Sequence, residues 1–322
     1  MIHSVDYNPT SMEIDQNGEV LFTGSKDGVF RAYDITNRSQ IRLINQVKFS
    51  NEAIEKIFIG LAPSGTGHVP ILTLFKKGSE RIFFASAEAQ KNFCFLGYIN
   101  TPFPILDICN NPGNSDVFEI LVLIKQMILS YEIPKFHFDH KIATEIKEKK
   151  EEDIFLNFEL QFILKARKCD SDLRLIFKQG KTEFIWLSGT DKYLRLYNLP
   201  IEDFEMLRDN KRSPENPIDE IPGHDLDITS GICTDSHLVT GGNEGKIQIR
   251  KDRNLYRTFR SHSYLNNGIS AIYYSVLRKL VYSCGFDGSI FLFSENETVD
   301  VPVEPINKGK KYKKNIKRIR KE

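Results

Sequence analysis

One pattern recurs along this chain and leaves it little choice of fold. A short apolar run is followed by a tight turn, then by an alternating run that ends near an aromatic. It reads VLFTGSKDGVFRAYD at Val20–Asp34 and FIWLSGTDKYLRLYN at Phe184–Asn198. It returns as LVTGGNEGKIQIRK at Leu238–Lys251 and LVYSCGFDGSIFLFS at Leu280–Ser294. Each copy reads as a β-hairpin, with turns at Asp27-Gly28, Asp191-Lys192, Glu244-Gly245 and Asp287-Gly288. A glycine at the second turn position relieves the positive φ that such turns demand. Alternation in VFRAYD, YLRLYN and SIFLFS puts every second side chain on the same face of a strand.

Two weaker copies fill the middle: ILTLFKKGSERIFFA at Ile71–Ala85, turning at Lys77-Gly78, and EILVLIKQMILSYEI at Glu119–Ile133, turning at Lys125-Gln126. The turn anchors at 27, 77, 125, 191, 244 and 287 are 50, 48, 66, 53 and 43 residues apart. That spacing is close to the ~40–45 residues of a propeller blade with loop variation. Apolar runs between the hairpins, such as IEKIFIGL, FCFLGYI and ISAIYYS, supply the remaining strands. No segment sustains a 3.6-residue period over many turns. The expected fold is therefore all-β: a single propeller of six or seven four-stranded antiparallel blades over residues 1–305. Residues 134–178 are the place expected for a seventh blade; without it the ring has six.

These repeats resemble the WD-repeat family over most of residues 1–300. The resemblance rests on Gly223-His224, Ser261-His262 and the Asp-Gly turns at 27–28 and 287–288. In that family a histidine, a strand Ser or Thr, the turn Asp and a terminal Trp form a buried hydrogen-bonded set in each blade. The resemblance implies such a set from His262, Ser283 and Asp287 in the last repeat, with Phe293 near the Trp position. The repeat before it offers His224 and Thr240, with Glu244 in place of Asp. No Trp-Asp dipeptide is present; Tyr33-Asp34 and Tyr197-Asn198 stand in its place. The repeats are divergent members.

Charge is unevenly spread. Residues 308–321, KGKKYKKNIKRIRK, hold nine basic side chains: Lys308, Lys310, Lys311, Lys313, Lys314, Lys317, Arg318, Arg320 and Lys321. The whole chain is only +1, so an acidic body carries a basic arm. Residues 306–322 are expected to be disordered or to start a helix, and to grip an acidic surface such as the acidic tails of tubulin. Nucleic-acid phosphates and nuclear import are the second choice. Lys135–Asp153, KFHFDHKIATEIKEKKEED, is dense in charge and reads as a solvated rim insertion.

Other chemistries find no footing. GLAPSGTGH at Gly60–His68 lacks the lysine of a phosphate loop and reads as a turn between strands. His137 and His140 flank Asp139 without a third partner to complete a metal site. Nucleophile elbow, zinc-protease and Cys–His patterns are missing, so no enzyme and no cofactor are expected. Five widely spaced cysteines form no disulfide framework, which points to a reducing, intracellular setting. No run reaches the roughly 18 apolar residues of a membrane span, and the first fifteen residues do not read as a secretory leader. The expected function is a protein-interaction scaffold subunit of a large assembly. Thr101–Asn111 and Val117–Pro134 resemble the degenerate blades of cilia- and flagella-associated WD-repeat proteins, which implies a cytoskeletal, axonemal setting. The alternative is a nuclear or nucleolar ribonucleoprotein assembly factor.

Overall fold

The computed structural model describes residues 9–14, 19–37, 41–48, 53–64, 67–86, 94–111, 117–134, 144–145, 160–209, 213–262, 268–276, 279–285 and 290–295. They form six antiparallel sheets. The first orders β1 (Pro9–Ile14), β2 (Val20–Ser25), β3 (Val29–Asp34) and β4 (Arg42–Lys48) from one edge to the other. The second holds β5 (Lys56–Ser64), β6 (Gly67–Phe75), β7 (Arg81–Ser86) and β8 (Cys94–Asn100). The third holds β9 (Asp107–Asn111), β10 (Val117–Ile124) and β11 (Met127–Pro134). A two-residue strand, β12 (Thr144–Glu145), adds a fifth member to the second sheet beside β8. The third sheet is completed by β13 (Ile163–Lys168), on the far side of β11.

The fourth sheet runs β14 (Leu173–Lys178), β15 (Phe184–Gly189), β16 (Tyr193–Asn198). Another short strand, β17 (Glu202–Asp203), pairs back onto β13, and the one-and-a-half-turn helix α1 (Phe204–Asp209) follows it. Then β18 (Asp219–Pro222) closes the fourth sheet against β16. The fifth is β19 (Ile228–Cys233), β20 (His237–Gly242), β21 (Lys246–Lys251), β22 (Asn254–Arg260). The sixth is β23 (Ile269–Ser275), β24 (Leu280–Gly285), β25 (Ile290–Ser294). All six expected hairpins are strand pairs of these sheets, central in the first five, while in the sixth β25 is the edge strand among the described residues.

The strand count corrects the expected six or seven four-stranded blades. Five sheets reach four or more strands, and the sixth has three among the described residues. Among the described residues of 134–178 there is no seventh blade, because β13 and β14 are consumed as the outer strand of the third sheet and the inner strand of the fourth. Of the expected insertion 135–153, only Thr144–Glu145 lies among the described residues, as β12.

The inner strands β1, β5, β9, β14, β19 and β23 meet one another in chain order, as blades around an axis do. Five buried apolar clusters fill the five seams between successive sheets. The strand VFEILVLI shows why the middle repeats looked so uniformly apolar. In β10, Phe118, Ile120 and Val122 enter the seam with the second sheet, while Leu121 and Leu123 enter the seam with the fourth. A strand buried on both faces loses the polar half of its alternation. In α1, Phe204 and Leu207 join the same cluster as Ile120. Each fully buried side chain of this kind contributes about 1.5–3 kcal/mol.

Candidate interaction surfaces

Polar sets at the turn ends tie four of the hairpins, those of the first, fourth, fifth and sixth sheets. In the first sheet the Ser25 hydroxyl bonds the Asp27 carboxylate and the Val29 carbonyl, and Arg31 Nη1 donates to Ser25 Oγ at 2.7 Å. Arg31 also pairs with Asp27 at 3.2 Å. The Ser25 hydroxyl, with help from Arg31, pulls the Asp27 carboxyl down to about 2. In the fourth sheet Arg195 donates to Asp191 at 2.9 and 2.5 Å and lies 2.8 Å from Glu220. That fork holds the Asp191 carboxyl below its ordinary range.

The fifth sheet uses a histidine instead. His224 sits with Nδ1 2.5 Å from Glu244 Oε1 and Nε2 2.9 Å from Thr240 Oγ1. In the sixth sheet His262 Nε2 lies 3.0 Å from Ser283 Oγ. Asp287 and Gly288 lie outside the described residues. Gly28 and Gly245 take φ of 74° and 75°, and Lys192 adopts 72° at the equivalent turn without the help of a missing Cβ. Sequence reading missed Arg31 and Arg195. Their signal was an arginine four residues after the turn Asp, which alternation returns to the same face of the sheet. Where a histidine fills this role, the position holds Gln248 or Phe291.

A second group of polar ties runs between sheets. Asp107 on β9 accepts from Lys56 Nζ of the second sheet at 2.6 Å and from the Ile176 amide of the fourth at 3.1 Å. Arg174 pairs with Asp227 at 2.6 Å, and Thr229 Oγ1 donates to the Ile269 carbonyl at 2.5 Å. On β1, burial pushes the Glu13 carboxyl up to about 7, against the pull of Lys56. Burial likewise pushes the Cys109 and Cys233 thiols up to about 12, so they stay neutral. Among the described residues no group of three or more His, Cys, Asp or Glu is placed to hold a metal ion, and no helix is long and apolar enough to cross a membrane.

On the first and sixth sheets, the face turned away from the described seam has a different character. On the sixth sheet, Tyr273, Tyr282 and Leu292 are register partners across three strands. The tyrosine rings lie 6.1 Å apart, and Tyr273 is 61% exposed. On the first sheet, Leu21, Tyr33 and Leu43 form a matching row, with Leu43 exposed. On the fifth sheet, the β22 strand carries exposed Leu255 and Tyr256, the latter under Lys251 Nζ at 4.0 Å. A cavity of about 270 Å³ opens between the fourth and fifth sheets, at the end opposite the hairpin turns. Phe184, Trp186, His237 and Arg250 contribute to its wall. The basic residues Lys308 to Lys321 lie outside the described residues, as do His137, Asp139 and His140.

Residues 253–294, spanning β22 to β25, match the family model for the WD domain, G-beta repeat. Among curated proteins, none matches this chain. In shape, the chain is similar to the computationally designed Ika8 protein, with a TM-score of 0.51 at 12% identity. The likeness covers 90% of this chain and 72% of that one. At that identity the likeness speaks to fold alone.

Proposed function

We propose that this chain, a WD-repeat propeller by its repeat at 253–294 and its antiparallel blades, serves as a protein-interaction scaffold. The observation that carries this reading is the row Tyr273–Tyr282–Leu292 on the face of the sixth sheet turned away from the fifth. Aromatic and aliphatic side chains held in register and exposed on one face of a sheet mark a docking face. WD-repeat propellers are typically non-enzymatic, and the polar sets described above are hydrogen-bonded ties rather than a nucleophile with its base. The test is co-purification from cells with a tagged full-length chain. Tyr273→Ser combined with Leu292→Ser should strip the co-purifying proteins while leaving the melting temperature unchanged. An unaltered partner set would sink the reading.

The finer reading is a cilium- or axoneme-associated scaffold whose basic residues 308–321 engage acidic tubulin tails. It is supported by the resemblance of Thr101–Asn111 and Val117–Pro134 to degenerate axonemal blades and by the charge of the arm. Full-length protein should then co-sediment with microtubules and cease to do so after proteolytic removal of the tubulin tails. Retention on RNA that falls steeply with salt, and is lost on deleting 308–322, would favour the ribonucleoprotein alternative instead.

A further inference from the structure

Among the described residues three arginines are nearly fully buried: Arg167, Arg195 and Arg250. Two have carboxylate partners, Glu215 for Arg167, and Asp191 with Glu220 for Arg195. Arg250 has none among the described residues. It is 5% exposed and its Nη2 donates to two backbone carbonyls, Pro222 at 2.7 Å and Gly223 at 3.3 Å. Its Nη1 is buried and meets no acceptor among the described residues. A buried charge of this kind is costly until an anion arrives.

Arg250 also lines the cavity between the fourth and fifth sheets. The carboxylates nearby are engaged elsewhere or lie outside the buried zone. Asp235 accepts from the Lys181 amide at 3.0 Å, Glu295 is held by Lys251 and by the Tyr274 hydroxyl, and Asp252 is exposed on the rim. The opposite wall is aromatic, with Phe184 and with Trp186, whose Nε1 donates to Gln179 at 3.2 Å. At about 270 Å³ the space falls below the ~300–1,000 Å³ of small-molecule sites. It suits one or two side chains of a peptide. The rim acids Asp235 and Asp252 disfavour a doubly charged phosphate and admit a single carboxylate.

We propose that this cavity receives an acidic side chain of a partner peptide, whose carboxylate supplies the counter-charge that Arg250 lacks and whose neighbouring apolar residue packs on Trp186 and Phe184. The subsite rests on the scaffold reading and gives one partner contact its chemistry. Arginine binds carboxylate through charge-assisted, paired donors.

Trp186 is the single tryptophan of the chain and forms part of the wall, so its fluorescence reports occupancy directly. The probe is an acetylated, amidated leucine–glutamate–leucine tripeptide, with leucine–glutamine–leucine as its control. The glutamate peptide should give a saturable change in Trp186 emission and the glutamine peptide should bind roughly 10–100-fold more weakly. Arg250→Gln should erase that difference, and Arg250→Lys should keep part of it. The comparison of the two peptides on unaltered protein decides the matter even if Arg250→Gln fails to fold. Equal responses to both peptides overturn the proposal, as does a saturable response to inorganic phosphate alone that blocks the peptide. A silent Trp186 in every titration also overturns it, while leaving the scaffold reading to stand or fall on co-purification.

Discussion

Replacing Thr240 by valine tests whether the His224 set is a structural tie of the strength its burial implies. The Glu244 carboxylate accepts from Nδ1, so in the neutral ring Nε2 becomes an acceptor for the Thr240 hydroxyl at 2.9 Å. Valine keeps the volume and branching of threonine, so packing is conserved and only the donor is lost. Thr240 and the His224 ring are both fully buried, and no water replaces the missing hydroxyl. The orphaned ring nitrogen then costs about 1–3 kcal/mol. For a chain of 322 residues that is a fall of roughly 1.5–4.5 °C in melting temperature. His224→Leu alone should cost more, because it strands the buried Glu244 carboxylate as well. In the double variant the two losses should sum to less than their separate values, since one bond has been counted twice. Urea denaturation with an unchanged m-value supplies the numbers. A Thr240→Val protein within about 0.5 kcal/mol of wild type would refute the reasoning, since that is the range of ordinary surface substitutions.

Arg195→Met removes the donor shared by Asp191 and Glu220 and should cost roughly 1.5–3 kcal/mol, read by the same denaturation. The Glu13 carboxyl is raised to about 7 by burial, so the folded state holds its proton where the unfolded chain has lost it. That contribution is complete below about pH 4.5 and is lost as pH rises to about 7. Glu13→Gln should flatten the decline in this window, and a slope identical to wild type would contradict the assignment. Two glycines with left-handed φ separate conformation from space. Gly78→Ala meets nothing within 4 Å and should cost only about 1–2 kcal/mol of backbone strain. In Gly245→Ala the new Cβ would lie 1.9 Å from the His262 carbonyl oxygen, so it should cost roughly 2–5 kcal/mol. Equal melting temperatures for the two variants would count against that distinction.

The hairpins were legible because their information is local. Alternation and a turn residue define two strands within fifteen residues, and all six pairs lie where that pattern puts them. The outer strands were less legible. Two-residue strands such as β12 and β17 carry no period, and they add fifth members to sheets that four would complete. Arg31 and Arg195 were readable in principle, as residues four positions beyond an acidic turn. Asp107 was not, because its partners are 51 and 69 residues away and nothing in DICNN announces them. The lone charge of Arg250 is likewise a property of what surrounds it, hidden inside an otherwise ordinary alternating strand.

The two kinds of polar tie also set different terms for change over generations. Asp27 with Arg31, and Asp191 with Arg195, are staples held within a single hairpin. A blade carrying its own staple can be copied, exchanged or allowed to drift as a self-contained unit. Asp107 is a shared asset, fastened at once to strands of the sheets on either side. No one blade owns it, so a duplication or deletion that passes through the third sheet must preserve both neighbours or forfeit both bonds together.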